Sequence, residues 1–400
     1  MSPILAYRAF VWVTVTNFFF FASLNGFVLL PLYIHRLGGT EVEIGFVMGL
    51  YSATGIVCQP VIGPWVDAFG RKPFMLLGAG LVVASALLAT VVASVPWLAL
   101  VRALQGIGFS AFFVASFAYV VDLVPPARRG WALGIYGVSG LLSTALAPLA
   151  GEWVIRRYGF RPLWAACVLV AGIALVLASR LRERRRGEAL PLSGIRSVRE
   201  GFGEILQRHM AVTVFFGLGT GTIFAFLPTF AESLGVSTLS LFYTGYAGAA
   251  MAVRVFAGRL VDTHGRRAVI VPSMFVQTAA TGLLAALGLL VSRTSQTPVL
   301  PVLLLAGLLA GGAHGFLYPG LAALVADQTS RARRASVFGV FSAVFLVGSA
   351  SGAFLSGVVT HALGYGPMWS LLTALLLGGA LVSVRLEVAP PPASEPRPRD

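Results

Sequence analysis

GPWVDAFGRK (Gly63–Lys72) sets an aspartate, an arginine and the chain's single lysine between two long apolar stretches. Nearly the same string, GRLVDTHGRR, returns at Gly258–Arg267. The chain uses charge sparingly: of 400 residues, 57% are hydrophobic and 11% charged. A soluble domain carries roughly 25% charged residues, so this chain lacks the means to cover a water-exposed surface. Its apolar runs are long enough to cross a bilayer, which takes ~20 residues as helix. A membrane barrel would instead show shorter segments of alternating character. The sequence therefore predicts an all-α integral membrane protein.

Hydropathy places twelve spans at 9–34, 44–66, 74–93, 97–121, 131–155, 162–179, 210–233, 240–261, 269–291, 299–326, 335–360 and 366–384. The first is too long for a signal h-region and reads as a span. A polar linker separates spans six and seven, and its VREGFGEILQRH stretch suits an amphipathic surface helix. The implied organisation is an N-terminal six-helix bundle (1–180), a cytoplasmic linker (181–208), a C-terminal six-helix bundle (209–386) and a disordered cytoplasmic tail (387–400).

The net charge of +14 does not point to nucleic acid, because the arginines gather between spans. With the N-terminus inside, 21 Lys and Arg fall in inside segments and five in outside loops. That is the bias of the positive-inside rule, and it makes both termini cytoplasmic. Cys58 and Cys167 lie inside apolar spans and suggest no disulfide framework. No Walker-type phosphate loop and no paired-carboxylate, metal or nucleophile constellation emerges. The sequence calls for no enzyme activity, nucleotide, metal or cofactor.

The two halves repeat. Pro31 and Pro228 sit in LPLY and LPTF near the ends of spans one and seven. Asp67 answers Asp262, and DLVPPARRGWALG from Asp122 answers DQTSRARRASVFG from Asp327. The order is the same in both copies, which marks parallel repeats with a substrate site near the midplane between them.

The string Gly63, Asp67, Gly70, Arg71, Lys72, with its second copy, resembles the loop motif between spans two and three of the major facilitator superfamily. Ala68 and Thr263 stand where that pattern has a basic residue. RALQG (Arg102–Gly106) resembles the family's span-four motif, linked to proton coupling or substrate contact. Gly134, Pro148 and Gly151 match part of the span-five motif of exporters, echoed by Gly348, Gly352 and Gly357 in span eleven; Ser143, Ala147 and Glu152 replace glycines of that pattern. The resemblance is to the drug- and sugar-efflux branches. It implies two pseudo-symmetric six-helix bundles and a monomeric proton antiporter of the bacterial cell membrane, exporting a small organic solute. The alternatives are an importer or facilitator of the same fold, and a non-transporting receptor or regulator.

Within this frame, Gly63 and Gly258 allow close helix approach, and Gly70 and Gly265 suit a turn with positive φ. The resemblance places Asp67 at the N-terminus of span eleven, where a helix dipole favours it. Arg71 then pairs with Asp122. The second copy mirrors this, with Asp262 at span five and Arg266 with Asp327. These pairs are expected only when the cytoplasmic face is closed. Pro148, Gly151, Gly348 and Gly352 are the expected packing and hinge positions.

Polar groups inside spans mark a cavity, because they are costly in lipid. Arg102 and Gln105 lie one turn apart on span four, and His314 and Tyr318 one turn apart on span ten. Asn17, Phe21 and Asn25 form a stripe on span one, and Thr222 is the repeat partner of Asn25. Arg254 is expected to support the gate, and Glu152 and Glu232 to lie near outer span ends. The membrane portion of span one has no acidic residue, which argues against broad cation efflux and favours a neutral or anionic substrate.

Overall fold

The computed structural model describes residues 3–125, 128–183, 208–236, 238–257, 264–290, 299–327 and 334–386. The described residues are helical apart from short turns. Span one is divided: α1 (Pro3–Gly26), a 3₁₀ turn (Phe27–Leu29) and α2 (Leu30–Arg36). The remaining helices of the first half are α3 (Glu41–Phe69), α4 (Arg71–Val91), α5 (Val95–Leu123), α6 (Arg129–Tyr158) and α7 (Phe160–Arg180). The second half has α8 (Arg208–Ser233), α9 (Ser240–Ala252), α10 (Arg266–Leu290), α11 (Val299–Asp327), α12 (Arg334–Leu363) and α13 (Tyr365–Val384). A π-helical segment, Val253–Ala257, follows α9 directly.

Among the described residues, eleven units are long and apolar enough to cross a membrane. The described part of the eighth, Ser240–Ala257, adjoins residues 258–263, which lie outside the described set. The linker stretch VREGFGEILQRH falls outside it up to residue 207, and so does the tail from 387. Large apolar side chains face outward, such as Leu169 at 68% exposure. In water such a surface would aggregate; in lipid it is the solvated face.

The division of span one follows from Pro31. Proline has no N–H to give to the carbonyl one turn back. Phe27 instead accepts from the Leu30 N–H in a tighter 3₁₀ turn. At the start of α3, Thr40 and Glu43 form a reciprocal capping box, satisfying two otherwise free N–H groups.

The repeat is visible in the turns. Among the described residues, all those with positive φ are glycines and form three pairs at equivalent junctions: Gly38 and Gly235, Gly70 and Gly265, Gly159 and Gly364. Each half packs chiefly within itself. The halves meet where α3 lies on α12 and α6 lies on α9.

The helix ends define two faces. The linker face carries Gly70 and the ends of α5 and α7; the far face carries Gly38, Gly159 and Gly364. Small residues show that the halves meet unevenly between these faces. A Cβ at Gly45 would lie 2.5 Å from the Ala353 carbonyl, and one at Gly357 would lie 2.7 Å from the Glu41 carbonyl. Both positions are near the far face. Towards the linker face, no described residue lies within 4 Å of a Cβ at Gly63 on α3 or at Gly339 on α12. The sequence expectation that Gly63 sits at a close helix contact is therefore not met in this conformation. Among the described residues, the two helices are in close contact from their far ends to mid-length, at Gly45, Ser52 and Gly55, and not at Gly63.

Candidate functional site: a cavity between the halves

A cavity of about 770 Å³ lies between the halves. Helices α1, α3, α5, α6, α8, α9, α10, α11 and α12 contribute to its wall. Its lining reaches Phe117, Leu133, Arg266 and Ala323, close to the linker face. On the far side, contacts between halves cross the bundle. Glu152 of α6 accepts the Ser240 N–H at 2.9 Å and pairs with Arg156. His35 and Glu232 lie 3.3 Å apart, and His361 and Glu41 lie 3.1 Å apart. Among the described residues, the cavity is open towards the linker face.

On α1, Asn17, Phe21 and Asn25 all line the cavity. The two amides also tie α1 to α6. Asn17 donates to Ser139 at 2.8 Å, and Asn25 donates to Ser143 and Thr144 at 2.9 and 3.1 Å. The stripe thus serves as both wall and helix tether. Ser143 and Thr144 make the serine-for-glycine departure in α6 intelligible, since the hydroxyls hold Asn25.

Arg102 lines the cavity at 7% exposure. It donates to Gln105 at 2.8 Å, and its guanidinium lies 4.4 Å from the centre of the Tyr51 ring. Gln105 itself is fully buried and off the cavity wall; it positions Arg102 rather than facing a ligand. Thr222 is likewise buried and off the wall, bonded to Ser356 at 3.0 Å between α8 and α12. Its neighbours Thr220 and Gly221 line the cavity instead. A helix presents adjacent residues about 100° apart, so the repeat offset alone did not fix which one faces inward.

His314 and Tyr318 of α11 both face the cavity, with their rings 6.2 Å apart. Phe216 and Tyr246 flank His314 at 5.3 and 5.5 Å. Arg254, expected at the gate, is on the cavity wall. It sits in the π-helical segment, a local widening that shifts side-chain phase and often marks functional positions.

At the linker face, Arg71 is 3% exposed and bridges two carboxylates. It lies 2.8 Å from Asp67 and 3.2 Å from Asp122, and it donates to the Val66 carbonyl at 2.9 Å. Glu183, beyond α7, accepts the N–H groups of Arg71 and Lys72 at 3.0 and 3.1 Å, capping α4. Gly70 has φ of 100° and Gly265 of 84°. Arg71 and Asp122 pair although the cavity is open to this face, which corrects the expectation that the pair needs closure. Both partners belong to the first half, so movement between halves does not separate them.

Gly258 and Asp262 lie outside the described residues, as does the Asp327 side chain. Arg266 begins α10 and reaches the cavity wall. Pro148 is inside α6. A Cβ at Gly151 would lie 2.9 Å from Leu29, while Gly348 and Gly352 abut the Val214 and Leu218 carbonyls of α8. Sequence reading missed Tyr51 and Glu183, and it missed the pairing of His35 with Glu232 and of His361 with Glu41 across the halves. Their partners are distant in sequence, and no local pattern marks them.

The Major Facilitator Superfamily model matches residues 11–253 and 210–400. Multidrug resistance protein MdtG of Citrobacter koseri is 25% identical over 376 residues, covering 88% of each chain. MdtG of Salmonella typhimurium is also 25% identical, over 375 residues, covering 88% of this chain and 89% of its own. The structure of the nucleoside transporter NupG superposes with a TM-score of 0.75 at 15% identity, covering 94% of this chain and 99% of that one. The chain belongs to the Major Facilitator Superfamily and is a multi-pass membrane transporter, not an enzyme.

Proposed function

We propose that the protein exports a small organic solute, drug-like, sugar-like or a metabolite, in exchange for protons by alternating access. The observation that carries this reading is a cavity between two repeats, open at one face and crossed by contacts between the halves at the other. The name of the MdtG relatives supports the efflux direction. The arginine count supports a cytoplasmic linker face and cytoplasmic termini in a bacterial cell membrane. The working units are residues 1–180 and 209–386, acting as a monomer.

In this reading Arg71, Asp122 and Gly70 brace the first half. Asp67 docks on the N-terminus of α12 when the linker face closes, favoured by its dipole, with Gly63 at the approach. Gly258, Asp262, Gly265, Arg266 and Asp327 act as the second copy. Arg102, held by Gln105, and His314 with Tyr318 are the candidates for solute contact and proton coupling. Asn17, Phe21 and Asn25 line the path, and Thr222 holds α8 to α12. Pro148, Gly151, Gly348 and Gly352 let the halves pivot.

The test is purified protein in liposomes with a pH step across the membrane. Antiport predicts proton movement upon solute addition and solute accumulation that collapses with the proton gradient. Solute flux without proton movement would leave a facilitator, and binding without flux would leave a receptor.

A further inference from the structure

We infer that the cavity selects organic anions: an amphipathic carboxylate or similar anion whose head is taken by Arg102 or Arg254 and whose body lies on the aromatic wall. This rests on the reading of the cavity as the solute site and names the class of solute.

Among the described residues, the wall contains arginine side chains but no aspartate or glutamate. Arg102 and Arg254 have no carboxylate within ion-pair distance among those residues, and the buried Nε of each has no hydrogen-bond partner. An uncompensated guanidinium in a low-dielectric site attracts an anion and presents several donors to it.

The two stations differ in depth. Arg102 is seven residues from the far end of α5, and Arg254 is fourteen from the far end of α9. At 1.5 Å per residue these are roughly 10 and 21 Å along their helices. A solute entering from the linker face meets Arg254 first and Arg102 deeper. The wall also includes Phe109, Phe113, Phe224 and Phe345, which favours a solute with an apolar body.

Aromatic rings also attract cations. Here the face of Tyr51 is already occupied by Arg102. An incoming cation would also meet positive charge with no carboxylate on the described wall to offset it.

The experiment measures equilibrium binding of three probes with one ring system: 2-naphthylacetate, 2-naphthylacetamide and 2-naphthylethylammonium. Calorimetry on the purified full chain gives each affinity. A charge-assisted hydrogen bond predicts the anion at least about tenfold tighter than the amide, with the cation weakest. Arg102→Gln and Arg254→Gln should each weaken the anion while leaving the amide within about twofold, and the double variant should lose the charge preference. If a Gln variant fails to fold, Arg102→Lys and Arg254→Lys are used; their retained charge should preserve the anion preference. A cation bound as tightly as the anion, no binding of the anion, or an anion preference surviving the double variant would overturn the inference. Because binding is measured without a gradient, a failure of proton exchange in liposomes leaves this result standing, and the reverse also holds.

Discussion

Arg71 shows how one side chain can serve stability rather than substrate. It is buried between a half-exposed Asp67 and a largely buried Asp122, at 46% and 15% side-chain exposure. Removing one member of a buried pair leaves an uncompensated charge, at a cost of roughly 3 kcal/mol, whereas an exposed pair contributes ~0–1 kcal/mol. Arg71→Gln is therefore expected to lower resistance to chemical denaturation markedly, Asp122→Asn less, and Asp67→Asn hardly at all. Equal losses for Asp67→Asn and Arg71→Gln would contradict this ordering. In the proposed gate, Asp67→Asn slows transport while the protein remains as stable as before. The sequence displayed Asp67, Arg71 and Asp122 plainly, because charge in an apolar chain stands out. It did not display Glu183, whose capping role depends on where the chain passes after α7.

At the scale of helices, the spans were legible because apolar length is a local property, and the repeat because loop strings recur. The 3₁₀ turn at Phe27–Leu29 could be argued from Pro31 only once the hydrogen bonds were known. The π segment at Val253–Ala257 had no sequence signal, and Arg254 within it stands on the cavity wall rather than at the expected gate. Which face a residue presents also eluded the pattern: Thr222 fits the stripe by offset but turns towards Ser356. The α3–α12 contact gives a direct test of the uneven packing. Gly45→Leu places atoms where the Ala353 carbonyl lies, so it should push the far ends of α3 and α12 apart. Gly63→Leu meets open space and should leave this conformation intact while obstructing closure of the linker face. Spin-label distances across each face would read both effects. Unchanged far-face distances in Gly45→Leu would refute the assigned contact.

For the whole molecule, the balance between conformations rests on a few contacts crossing the far face, and these are unequal. The pairs His35–Glu232 and His361–Glu41 are substantially exposed on their histidine side, at 56% and 54%. Solvent screening limits such pairs to ~0–1 kcal/mol each. Glu152 is different: it is 7% exposed and joins the halves by accepting the Ser240 N–H while pairing with Arg156 within α6. Its loss strands a buried N–H, a penalty of about 1–3 kcal/mol. A factor of ten in population corresponds to about 1.4 kcal/mol. Glu152→Ala should therefore move the far-closed to far-open ratio by about 5- to 140-fold, and His35→Ala by no more than about fivefold. Cysteine accessibility from the far side, measured on the intact protein in liposomes, reports that ratio. If His35→Ala opens the far face more than Glu152→Ala does, burial is not what ranks these contacts, and closure must depend chiefly on the packing of α3 against α12.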